Sequence, residues 1–129
     1  MTPACTEALI RAALDARDAA YAPYSHFSVG AAVLTMDGRI FKGCNVENAS
    51  YGAALCAERS ALAAAVSAGY RTFSAIAVAG SGETFTMPCG ICRQVLAEFH
   101  MSLVIAVKNE KEYKVFSGED LLPHAFRLP

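Results

Sequence analysis

Apolar residues near the start of the chain fall at Leu9, Ile10, Ala13, Leu14 and Ala20 with charges between them. That helical spacing predicts a helix over 5–20, with Thr6 placed to begin it. Pro23 breaks the pattern. FSVGAAVLTMDGRIFKGCNV then changes to two β-rich runs around Asp37-Gly38, a dipeptide suited to a hairpin turn. The following ENASYGAAL is small and polar, and reads as a loop. CAERSALAAAVSA, over 56–68, is dominated by strong helix formers, and Gly69 stands where a helix would end. FSAIAVAG reads as a short buried strand and SGETFTMP as a loop. Pro88 falls where a first-turn proline would start the helix CGICRQVLAEFH. SLVIAV and EYKVF form two more strand candidates across the turn KNEK, and a short helix around GEDLL closes the pattern.

Strands alternating with helices indicate a layered α/β domain, and the hairpin makes its sheet mixed rather than all parallel. At 129 residues the chain is expected to form a single domain over 1–129. A chain of that size buries roughly two thirds of its unfolded surface. Its 54% hydrophobic and 18% charged content, without a Pro- or Ser-rich tract, leaves no place for a linker. The apolar runs ALAAAV and SLVIAV are far shorter than the ~20 residues of a membrane span. The amphipathic N-terminus, with Asp and Glu in it, is unlike a targeting segment, so a cytoplasmic location is expected. A net charge of −1 with scattered lysines and arginines offers no basic stripe for nucleic acid.

Five cysteines are an odd number for a disulfide framework, which turns attention to metal binding or catalysis. Cys89 and Cys92, at i and i+3 on a helix, share a face and can reach one ion. A redox dithiol or buried structural thiols would show the same spacing. Cys56 opens a helix as Cys89 does, and Glu58 follows two residues on, off the face that carries Cys56. Glu58 is therefore placed to stand beside a water at the metal rather than to ligate it. Three thiolates would leave the fourth position of a zinc site open, as catalytic zinc requires. Their net charge with zinc is negative, so Arg59, one turn after Cys56, and Arg93 and Gln94, just after Cys92, are candidates to donate hydrogen bonds to the sulfurs. For Arg93 a solvated helix charge is the alternative. Cys5 and Cys44 are left over, and His26, His100 and His124 show no paired ligand spacing.

C-A-E followed by P-C-x-x-C matches the zinc-deaminase pattern. With PYSHFSVGAAV, GCNVENASYG, CAER, PCGICRQ and LLPHAF in order from about residue 21 to 126, the chain resembles the small homotetrameric cytidine deaminases. The resemblance implies a three-layer α/β/α sandwich with a mixed five-stranded sheet, and Zn2+ held by Cys56, Cys89 and Cys92. It implies hydrolytic deamination of cytidine and 2′-deoxycytidine with release of ammonia, in which water activated by the zinc attacks C4 and Glu58 shuttles protons. It assigns base stacking to Phe27, the ribose hydroxyls to Asn45 and Glu47, and backbone contacts with the base to Ala57. Ala49, Tyr51 and Phe126 would reach a neighbouring subunit's site. A deaminase acting on polynucleotides is disfavoured by the lack of basic patches, and three alternatives stand beside this reading. One is a deaminase of a cytosine-bearing aminonucleoside antibiotic, and another a structural zinc module closed by Cys44. The third is a dithiol oxidoreductase using only Cys89 and Cys92.

Overall fold

Thr2, and not Thr6, opens the first helix. In the computed structural model, which describes all 129 residues, α1 runs Pro3–Arg17 and the Thr2 hydroxyl accepts the Cys5 N–H at 3.1 Å. Pro3 stands in the first turn, where its missing N–H costs no hydrogen bond. Thr6 directs its own hydroxyl back to the Thr2 carbonyl. The helix also stops at Arg17 rather than reaching residue 20.

The hairpin forms as expected from β1 (Val29–Thr35) and β2 (Ile40–Cys44), with Gly38 at φ 95° in the turn. α2 (Ala57–Ser67) ends before Gly69, whose φ is 102°. β3 (Phe73–Gly80) leads through a loop to α3 (Gly90–Glu98), followed by β4 (Leu103–Val107), β5 (Tyr113–Ser117) and the short α4 (Gly118–Leu121). α3 starts two residues later than a first-turn Pro88 requires. Cys89 takes the extended capping conformation, and the buried Pro88 precedes the cap with its carbonyl accepting from Arg93 Nε at 2.8 Å.

The strand order is β2-β1-β3-β4-β5, with β3 and β4 parallel and the other neighbours antiparallel. Period-two alternation along β1, β3 and β4 feeds two cores. Ala32, Leu34, Ala75, Ala77 and Ile105 meet Leu9, Ile10 and Ala13 of α1 on one face. On the other face, Ala31, Val33, Ile76 and Val104 meet Ala61, Leu62 and Ala65 of α2 and Leu96 of α3. The result is the three-layer α/β/α arrangement. Gly43 lets α2 lie directly on β2, since a Cβ there would stand 2.2 Å from the Ala61 nitrogen. The crossover from β3 to its parallel neighbour β4 passes through α3, so Cys89 arrives just past the carboxyl end of β3. Crevices of this kind are where open α/β sheets carry their chemistry. No helix is long and apolar enough to cross a membrane.

Candidate active site

Both α2 and α3 begin on a cysteine. Cys56 and Cys89 are the N-cap residues. The sulfurs therefore stand at helix N-termini, where free main-chain N–H groups and the positive end of the dipole favour a thiolate. Cys92, in the first turn of α3, is fully buried.

The three Sγ atoms lie within 4.8 Å of one another, and Cys56 and Cys89 are 3.8 Å apart. Tetrahedral zinc with Zn–S bonds of about 2.3 Å sets its sulfurs about 3.8 Å apart, against about 2.05 Å for a disulfide. All five cysteines are free thiols. Cys44 lies outside the cluster, so a closed four-thiolate module is not what the chain builds, and a two-cysteine redox reading leaves Cys56 without a reason to be there.

The electrostatics agree with that fit. Burial raises the Cys89 thiol, but the Cys92 N–H, the Cys92 and Cys56 side chains and the Ile91 N–H outweigh it, and Cys89 sits below its ordinary value. Cys92 moves the other way, pushed well up by burial, then by the Glu58 charge and by the neighbouring sulfurs. Three sulfurs at this separation need a cation among them before all can ionise. The donor set thus fits zinc, a metal that takes thiolates readily and tolerates an open fourth position.

Arg59 Nη2 lies 3.7 Å from Cys56 Sγ and donates to the Ala54 carbonyl at 3.2 Å. Gln94 does not turn to the sulfurs as the sequence suggests: its amide nitrogen donates to the Phe126 carbonyl at 2.9 Å, tying the C-terminal segment to α3. Arg93 is neither a sulfur donor nor a solvated charge, because Nε holds the Pro88 carbonyl at 2.8 Å and Nη1 the Leu121 carbonyl at 3.0 Å. A helical wheel fixes which way these side chains leave α3, but not what the rest of the chain folds against that face.

Glu58 is the one buried carboxylate, 5% exposed in the first turn of α2. Burial raises its pKa, opposed by its own main-chain N–H, by Cys92 and by Arg59. A carboxyl raised in this way is suited to take up and return a proton near neutral pH.

On the substrate side, Phe27 keeps 39% of its surface exposed. Asn45, at the end of β2, accepts the Val29 N–H at 2.8 Å and donates to the Phe27 carbonyl at 2.9 Å. Glu47 accepts the Tyr24 and Ser25 N–H groups at 2.9 and 3.1 Å and hydrogen-bonds the Ser25 hydroxyl. The Ser25 hydroxyl and N–H are the main causes that hold the Glu47 carboxyl below its usual range. A cavity of about 300 Å³ opens here, lined by Tyr24, Ser25, Glu47, Asn48, Tyr51 and Ala54. Ser25 is the residue that the motif reading passed over. It lies within PYSHF, but a polar loop residue has no period to mark it. Ala57 is fully buried at the start of α2, whereas Ala49 is exposed, as are Tyr51 at 81% and Phe126 at 70%.

Residues 3–108 match the family model described as the cytidine and deoxycytidylate deaminase zinc-binding region. The cytidine deaminase of Halalkalibacterium halodurans is 53% identical over 120 residues, which cover 92% of this chain and 91% of that one. The cytidine deaminase of Sporosarcina psychrophila is 48% identical, with 93% and 90% covered. The crystal structure of cytidine deaminase from Burkholderia pseudomallei superposes with a TM-score of 0.88 at 52% identity, covering 98% of this chain and all of that one. With sequence, fold and three-cysteine centre in agreement, the chain belongs to the cytidine and deoxycytidylate deaminase family.

Proposed function

We propose that the chain catalyses hydrolytic deamination of cytidine and 2′-deoxycytidine to the uridine counterparts, releasing ammonia. The observation that carries this reading is the Cys56, Cys89 and Cys92 cluster with the buried Glu58 beside it. Cys56, Cys89 and Cys92 would hold zinc here, and the bound ion would supply the acidity that makes water a nucleophile at neutral pH. Glu58 takes a proton from the attacking water and delivers it to N3 of the base. It then passes a second proton to the departing amino group at C4, acting as base and acid in turn. Arg59 offsets the negative charge of the sulfurs.

Phe27 offers its ring face to the pyrimidine, and the main chain at Ala57 meets the base edge. Asn45 and Glu47 read the ribose hydroxyls. Each already holds main-chain partners, which fixes its orientation, and each keeps unused hydrogen-bonding capacity for a ligand. A site that hydrogen-bonds hydroxyls in this way rejects ligands without them.

Residues 1–129 act as one catalytic domain, supported by the single sheet against which the helices pack. The working form is a homotetramer with shared sites. Support comes from Tyr51 and Phe126, which expose large aromatic surfaces near the cavity and on the tail pinned to α3. Ala49 adjoins Tyr51 in that contact. A reducing cytoplasm suits three thiolates and two further free cysteines.

The test is an ultraviolet assay of cytidine, 2′-deoxycytidine, cytosine and a cytosine-bearing aminonucleoside in parallel. Both nucleosides should be converted, with cytosine at least about a hundredfold poorer in kcat/KM for want of the ribose contacts. Preference for the aminonucleoside over cytidine would replace this reading with the antibiotic-deaminase one.

A further inference from the structure

Phe27 sits on glycine. A Cβ added at Gly80 would stand 2.6 Å from Cζ and 3.2 Å from Cε2 of the Phe27 ring, and one at Gly82 would stand 3.4 Å from Cε1. The backbone does not explain the first of these glycines. Gly80 closes β3 in register with Val29, and the only glycines at positive φ are Gly38 and Gly69. Glycine within a strand often marks a close approach, and here the approaching group is an aromatic ring.

The main chain that carries this ring is held from two sides. Asn45 bonds the Phe27 carbonyl and the Val29 N–H, at 2.9 and 2.8 Å. Opposite, the Ser81 N–H donates to the Ser28 carbonyl at 2.8 Å, and the Ser28 N–H to the Ser81 hydroxyl at 3.0 Å. Gly80 is itself fixed, because Arg17 Nη1 donates to its carbonyl at 2.8 Å from across the sheet. Space around the seat is already used. The Thr86 hydroxyl, buried without a partner, lies 2.2 Å from where a Gly80 Cβ would stand.

The geometry points to Gly80 as a positioning residue for the base: with both backbones clamped, the missing side chain sets how deep the Phe27 ring lies and therefore where the pyrimidine plane rests. This rests on the base-stacking role of Phe27 proposed above. A methyl group at Gly80 meets two side chains, the Thr86 hydroxyl and the Phe27 ring, and with both backbones clamped the ring yields outward into the volume meant for the base. Substrate binding then suffers more than the proton transfers at Glu58.

The experiment measures KM and kcat for cytidine in Phe27→Ala, Gly80→Ala and the pair, with zinc content and thermal unfolding on each. Phe27→Ala is expected to raise KM about tenfold or more, the scale of one lost base–aromatic stack. Gly80→Ala is expected to raise KM about tenfold while kcat stays within about threefold, a split that general loosening of the fold would not give. In the pair, Gly80→Ala should add nothing, because the ring it displaces is gone. An unchanged KM in Gly80→Ala, or a rise that persists in full on top of Phe27→Ala, overturns the seat; the second outcome would assign the effect to Thr86. If Phe27→Ala alone leaves KM unchanged in an active enzyme, the stacking role itself fails, and the seat with it. Should Gly80→Ala not fold alone, the pair should fold and load zinc, and a pair that stays unfolded contradicts the proposal.

Discussion

Exchanging Glu58 for glutamine is expected to lower kcat for cytidine by about a thousandfold or more while zinc stays bound, since general acid–base catalysis contributes ~10²–10⁴ and one carboxyl here serves two proton transfers. The amide matches the carboxyl in shape, so the 5% exposed site is left without a cavity, but the amide cannot accept and return a proton. Stability should not fall. Burial already disfavours the charged form of Glu58, and glutamine removes that charge. Turnover, bound metal and thermal midpoint of the same preparation decide the matter. Near-normal turnover in Glu58→Gln would sink the assignment, whereas loss of zinc would make Glu58 a ligand rather than a proton carrier.

Replacing Cys92 with alanine is expected to abolish turnover by stripping the metal. Cys92 is the fully buried member of the cluster, and its removal leaves only the sulfurs of Cys56 and Cys89, 3.8 Å apart, to hold the ion. Losing a partner that merely orients a ligand costs roughly 10–100-fold in metal affinity, so losing a ligand should cost more. Zinc content after dialysis should drop from about one per chain to near zero, and the thermal midpoint should fall because the metal stabilises only the folded site. Cys44→Ala is the control, and it should keep zinc, fold and turnover. If Cys44→Ala loses metal, or Cys92→Ala keeps it, the three-thiolate centre is wrong.

Much of this was legible along the chain because the relevant signals are local. Two β-rich runs around Asp37-Gly38, an alanine-rich helix ended by Gly69, and two helix starts bearing cysteines are patterns that tertiary packing had no cause to override. Where two residues compete for one local role, the pattern cannot choose. Thr6 is the expected cap, and the helix begins instead behind Thr2, with Pro3 in its first turn. Pro88 could stand inside or before the first turn of α3, and the capping conformation of Cys89 puts it before. The readings that failed outright, those for Gln94 and Arg93, concern side chains whose partners arrive from the distant C-terminal segment. The same holds for the Phe27 seat, where Arg17 meets Gly80 across 63 positions and no spacing rule reaches that far.

Three cysteines hold one zinc, and deamination of cytidine depends on it. The most direct measurement takes one preparation through metal removal with a chelator and stoichiometric return of zinc, counting bound metal and the rate of cytidine conversion to uridine at each step. Conversion should fall in proportion to zinc lost and return as zinc approaches one per chain. A folded preparation carrying zinc at Cys56, Cys89 and Cys92 that leaves cytidine unchanged, or full conversion after the metal is gone, would contradict it.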